Sequence, residues 1–239
     1  MLFDILAGDN IVDIIVSFLF SMPIILFALS MHETAHGYVA YKCGDHTAYN
    51  LGRLTLNPLK HLDLKGFLCM LIFGFGWAKP VPVNSRNFHN PKKGMALTAL
   101  AGPAANAILG IISSVLFGAL YALYQYLLYT GVQGFGIVCL FYTTDLFLLS
   151  AVCNFVFMAF NLIPVPPFDG SRVAFVFLPP KAYFGIMKYE RQIMIGILVA
   201  LLVISNLFNF SLFSWIANKL TFAIANPVFN LFVSLFGLI

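Results

Sequence analysis

The chain has 239 residues, of which 61% are hydrophobic and only 9% charged. So few polar side chains cannot cover a soluble globule of this size, which excludes a water-soluble enzyme and indicates a polytopic membrane protein. The formal net charge of +4 is no signature of nucleic-acid binding, because the basic residues fall in short loops between apolar runs and act as orientation signals.

The first residues carry Asp4, Asp9 and Asp13 but no Lys or Arg, so they lack the basic start of a signal peptide, and the first span is expected to stay as an anchor. Residues 11–41 are apolar apart from Asp13 and one polar cluster, long enough to cross about 30 Å of hydrocarbon with a tilt, and Pro23 is expected to bend the helix. The cluster is His32-Glu33-Thr34-Ala35-His36. Residues four apart share a helix face, so His32 and His36 can aim two imidazoles at one metal ion with Glu33 beside them as a base. His32 stands ten positions before Lys42, and a rise of about 1.5 Å per residue puts the metal roughly 15 Å below the basic end of the helix. Titratable groups at that depth are costly and are functional by default.

From Cys43 to Leu62 turn residues surround a short alternation, Leu51 and Arg53-Leu54-Thr55-Leu56, which reads as a strand or hairpin at the interface. The apolar run from Gly66 to Trp77 is too short to cross and fits a re-entrant or interfacial helix. In Trp77-Ala78-Lys79-Pro80-Val81-Pro82-Val83-Asn84 the prolines strip the N–H donors from one side of an extended strand, while Val81 and Val83 keep theirs. Such an edge strand could hold an extended substrate by strand addition or could simply protect its own edge.

A second span, about 94–128, carries Gly102, Asn106 and Gly110 at intervals of four, a small-residue stripe that admits a close neighbour and includes one amide in need of a partner. A third span carries Asp145 at its outer part, passes Asn154 and Asn161, and breaks at Pro164, Pro166 and Pro167. Asp169 emerges from that irregular backbone, where a carboxylate can be aimed independently of a helix face. Metal ligation beside His32 and His36 and N-capping of a short helix starting at Gly170 are both open to it. Further spans follow at about 192–207 and 212–239. Cys43, Cys69, Cys139 and Cys153 lack metal-site spacing and read as reduced small hydrophobes. His46, His61 and His89 read as interfacial loop residues.

Of the 13 Lys and Arg, eight lie between Lys42 and Lys93 and four between Arg172 and Arg191. The positive-inside rule makes both regions cytoplasmic, which requires that 66–77 does not cross and gives five crossings. The expected fold is an all-α polytopic membrane protein with about five to six transmembrane helices, a small interfacial β element and a re-entrant or interfacial helix. The whole of 1–239 is expected to form one membrane-embedded domain.

Three ordered signatures resemble the site-2 protease family of intramembrane zinc metalloproteases: His32-Glu33-Thr34-Ala35-His36, Gly102-Pro103-Ala104-Ala105-Asn106, and Asn161-Leu162-Ile163-Pro164 running on to Asp169-Gly170. The compact members, which lack PDZ or CBS-like regulatory insertions, look most similar. Phe168 stands where a leucine is common. The resemblance implies one zinc ion held by His32, His36 and Asp169, Glu33 as the general base, and Asn161 as a donor to the oxyanion. It further implies that Asn106 and Gly102 support the ligands from behind or touch the substrate backbone. The implied substrate is the transmembrane segment of another protein, cut at a site open to the cytoplasmic side of a bacterial-type membrane, with the lipid bilayer as partner and no nucleic acid. A membrane metal transporter and a catalytically dead scaffold are the rival classes. Transport would spread ligands along a crossing path, and a dead scaffold would be free to lose Glu33.

Overall fold

The structure, a computed structural model, describes residues 10–73, 77–179, 182, 185–186, 188–189, 191–193, 195–197, 199–200 and 212–236. Four long helices form the body: α1 (Ile11–Lys42), α5 (Pro91–Tyr129), α6 (Phe135–Asn161) and α8 (Leu212–Leu235). Short helices decorate the connections: α2 (Thr47–Asn50), α3 (Pro58–His61), α4 (Leu64–Phe73) and α7 (Asp169–Ala174). Asn10 caps α1 by accepting from Val12 N at 3.1 Å, and Asn90 caps α5 by accepting from Lys93 N at 3.1 Å, with Pro91 at the first helical position where no N–H is missed.

All four long helices are long and apolar enough to span a membrane. Their surfaces are inverted relative to a soluble bundle. Val16, Leu19, Phe20, Ile108, Ile112 and Phe141 face outward, while Ser30, His32, His36, Asn106, Ser114 and Asn154 are buried. Apolar outside and polar within is the arrangement hydrocarbon demands, and the protein is an integral membrane protein. Residues of the span expected at 192–207 are helical at 192–193, 195–197 and 199–200, and the rest of it lies outside the described residues.

Helix α5 lies at the centre, packed against α1, α6 and α8. Its glycines set the approach: a Cβ at Gly110 would stand 2.7 Å from the Phe155 ring of α6, and one at Gly118 would stand 2.6 Å from the Ala225 carbonyl of α8. The ten-residue α4 is the short helix expected at 66–77, displaced toward the N-terminus, and residues 74–76 of that run lie outside the described residues.

The small interfacial β element is not formed among the described residues. After α2 the chain turns at Gly52 with φ +63° and runs as irregular backbone through 53–56, where a strand was expected. Side chains take the groups a ladder would use: the Thr55 carbonyl accepts from Thr34 Oγ1 and from His61 Nε2, both at 2.7 Å, and Arg53 donates to the Lys79 carbonyl at 2.8 Å. The segment 77–84 is extended, as its prolines require, but pairs only through an antiparallel bridge between Ala78 and Leu62. His61, expected in an interfacial loop, instead ends α3 and is buried.

Candidate metal centre

Helix periodicity on α1 places His32 and His36 one turn apart, both buried, with Glu33 beside them half-buried. Asp169 arrives from the chain's other half. After α6 ends at Asn161, the prolines carry the backbone through a turn in which the buried Phe168 ring packs edge-on against Phe160, with centroids 4.3 Å apart. A Cβ at Gly170 would collide with the Leu162 carbonyl, so only glycine lets α7 start so close to the end of α6. Asp169 opens α7 with its Oδ2 at 3.1 Å from His32 Nε2 and 3.2 Å from His36 Nε2, and the two Nε2 atoms stand 2.9 Å apart.

Both imidazoles are held from behind by α5. His32 Nδ1 donates to Asn106 Oδ1 at 2.6 Å and His36 Nδ1 donates to the Thr98 carbonyl at 2.6 Å. A carbonyl can only accept, so Nδ1 carries the proton in His36, and Nε2 is left with its lone pair. Three acceptor atoms, one of them a carboxylate oxygen, thus converge with no donor among them. That is a demand for a cation. Ligands of a tetrahedral zinc ion at about 2.0–2.1 Å lie roughly 3.3–3.4 Å apart, close to the separations seen, so the residues fit the ion.

Gly102 completes the cradle. Thr98, Gly102 and Asn106 share one face of α5 at intervals of four, and a Cβ on Gly102 would sit 2.5 Å from His32 Cε1 and from His36 Nε2. The imidazoles pack directly on bare backbone.

Next to the imidazoles on α1, Glu33 Oε2 accepts from Val81 N at 2.8 Å. Lys79 N donates to the His61 carbonyl at 2.7 Å, and Arg53 reaches the carbonyls of Lys79 and Pro80 at 2.8 and 3.4 Å. The proline-framed segment is therefore strapped against the acid. Beside it a cavity of about 330 Å³, mostly apolar, opens between α1 (Leu26, Leu29), α4 (Phe67, Met70) and α6 (Phe157, Phe160).

Of the residues singled out in the sequence, His32, His36, Asp169, Asn106 and Gly102 come together, and Glu33 adjoins them. Asn161 ends α6 with its Nδ2 turned back to the Phe157 carbonyl at 3.0 Å. Sequence reasoning missed the Thr98 carbonyl and Asn154, whose Oδ1 accepts from Asn106 Nδ2 at 2.9 Å, and it left the Val81 N–H to strand pairing where the structure gives it to Glu33. For Thr98 the available signal was its place four residues before Gly102 on the same face.

The model of one family, described as Peptidase family M50, matches residues 20–205. "Putative zinc metalloprotease YwhC" of Bacillus subtilis is 42% identical over 158 residues, 65% of this chain and 68% of that protein. "Putative zinc metalloprotease MJ0611" of Methanocaldococcus jannaschii is 29% identical over 66% of this chain and 76% of its own length. "Putative zinc metalloprotease Rip2" of Mycolicibacterium smegmatis is 28% identical over 61% of this chain and 52% of its own length. No solved structure matches the chain significantly.

Proposed function

We propose, for a chain that belongs to Peptidase family M50 and is thereby a zinc-dependent peptidase, that it hydrolyses peptide bonds within or near transmembrane segments of other proteins. The observation that carries this reading is the position of the converging ligand atoms of His32, His36 and Asp169, all within 4.8 Å of one another, among helices whose outer faces are apolar. Water is scarce at such a site, and the peptide that reaches it most directly is one already in the bilayer.

His32 Nε2, His36 Nε2 and Asp169 would hold one zinc ion and leave a fourth position open. A zinc ion held there would lower the pKa of a bound water toward about 7 and would polarise the scissile carbonyl. Glu33 takes the proton of the attacking water and hands it to the leaving amine. Asn161 swings its Nδ2 from the Phe157 carbonyl to meet the developing oxyanion. The apolar cavity between α1, α4 and α6 receives apolar side chains of a locally unwound substrate. The eight Lys and Arg between Lys42 and Lys93 support, by the positive-inside rule, a cytoplasmic end for α1 and a site open to that side.

The test is zinc content and cleavage of a reporter transmembrane peptide by purified protein and by Glu33→Gln. Zinc retained at one per chain with cleavage lost by about a thousandfold or more supports the reading; cleavage at the native rate in the variant ends it. Zinc flux into vesicles without cleavage by the native protein points to a transporter instead.

A further inference from the structure

The imidazoles of His32 and His36 each need a proton on Nδ1 if Nε2 is to meet a metal, but they are secured differently. His36 faces a backbone carbonyl, which can act only as an acceptor. His32 faces Asn106, an amide whose two ends are nearly isosteric and chemically opposite. With the amide reversed, its NH₂ would meet Nδ1, drive the proton to Nε2 and close that nitrogen to a metal. Something must hold the amide the right way round.

We propose that Asn154 is the positioning residue that does so. The chain of constraints starts at a group that cannot reverse: the Ser150 carbonyl, on the turn before Asn154 in α6, accepts from Asn154 Nδ2 at 2.9 Å. That turns Asn154 Oδ1 toward α5, where it accepts from Asn106 Nδ2 at 2.9 Å. Asn106 Oδ1 is thereby turned to His32 and accepts from Nδ1 at 2.6 Å. The Ala28 carbonyl, at 3.4 Å from Asn106 Nδ2, adds a longer contact of the same sense. Asn106 and Asn154 are both buried, so water cannot substitute for either partner. A carbonyl of α6 thus fixes, through two amides, which nitrogen of a histidine on α1 is open to the metal.

The competing view is that Asn154 merely ties α5 to α6, as buried amides do in membrane bundles. A symmetrical group at 106 separates the two. In Asn106→Asp both ends are oxygens, His32 finds an acceptor whichever way the carboxylate turns, and nothing at 154 is needed to orient it.

The inference rests on His32 being a zinc ligand, and the measurement is zinc affinity by chelator competition in detergent-solubilised full-length protein, with thermal unfolding of the zinc-free forms alongside. Asn154→Leu is expected to weaken zinc binding by about tenfold or more, the range seen when a partner behind a ligating histidine is lost. Asn154→Asp, which keeps an acceptor toward Asn106, is expected to stay within about threefold of the native protein, well short of that range. In the Asn106→Asp background, Asn154→Leu is expected to cost nothing. Native affinity in Asn154→Leu, or the same loss in both backgrounds, overturns the proposal while leaving the proteolytic reading intact. A native protein that binds no zinc overturns both.

Discussion

Replacing Gly102 by Ala tests whether the bare backbone of α5 is what seats the two imidazoles. The added Cβ would lie 2.5 Å from His36 Nε2 and His32 Cε1 and 2.6 Å from His32 Nε2, where ordinary contact begins at 3.4 Å. Relief requires a displacement of 3.4 − 2.5 = 0.9 Å, and the rings cannot supply it by small rotations because both Nδ1 atoms are tied at 2.6 Å. Metal–ligand distances tolerate about 0.2 Å, so the shift exceeds the tolerance more than fourfold. Losing a partner behind a ligand costs about 10- to 100-fold in metal affinity, and displacing the ligand itself should reach at least the upper figure. The overlap is present with or without zinc, so it also offsets the gain of up to about 1 kcal/mol that an alanine inside a helix would otherwise bring. The assay is zinc content after dialysis against a chelator, with Gly136→Ala as the control because a Cβ there meets nothing within 4 Å. Gly102→Ala should lose zinc while Gly136→Ala keeps it. A Gly102→Ala protein with native zinc content and cleavage would refute the picture of ligands resting on backbone.

Three other substitutions probe separate parts. Asp169→Ala should lower zinc occupancy at fixed free zinc, because two histidines alone do not complete a three-ligand set; undiminished occupancy would reassign Asp169 to capping α7. Val81→Pro removes the N–H that donates to Glu33 Oε2 and should slow cleavage by roughly ten- to a hundredfold with zinc retained, the range for a hydrogen bond to a charged group. Unaltered cleavage would separate the strap from the base. Asp45, buried at the end of α1, accepts from Thr47 N and Oγ1, Asn87 Nδ2 and Asn84 N. Asp45→Asn should therefore destabilise the protein by about 1–3 kcal/mol at neutral pH. Burial by itself raises this carboxyl, but the bonds from Thr47, Asn84 and Asn87 outweigh it and lower it from its ordinary 3.8. The ionised group's contribution is thus present above that value and lost as pH falls below it. The gap in melting temperature between native and Asp45→Asn protein should hold from neutral pH to about 5 and shrink below 3.8; a gap that widens in acid contradicts this.

Much of the site could be read from spacing because its geometry is local. His32 and His36 are four apart on one helix, and the proline-broken backbone before Asp169 announces a carboxylate freed from helical register. The glycines at 102 and 110 were legible as a stripe, but not as having different purposes: Gly110 admits a Phe155 ring, whereas Gly102 admits the imidazoles of His32 and His36. What stayed hidden is non-local or made of backbone. The Thr98 carbonyl carries no side-chain signature, and Asn154 is a lone amide in an apolar run whose partner lies 48 residues away. The alternation at 51–56 misled for a related reason. Period two was present, but Arg53 and Thr55 spend their polar groups on the proline segment and on Thr34, which leaves no ladder to form.

The metal centre is therefore unequal in how firmly its parts are set before any ion arrives. His32 and His36 stand on one rigid helix and are fixed again through Nδ1 by α5, so their free nitrogens are in place in the empty protein. Asp169 hangs from a short irregular segment located by the packing of Phe168 on Phe160 and by the closeness of Gly170 to the end of α6. Asp169 Oδ2 already stands 3.1 and 3.2 Å from the two Nε2 atoms, so a metal held there would tie the segment before it to α1. Asn161 stands at the start of that segment, where α6 gives way to it. The residue offered to the oxyanion and the residue offered to the metal are thus separated by only seven residues of turning backbone, so a metal that holds Asp169 would also limit how far Asn161 can move.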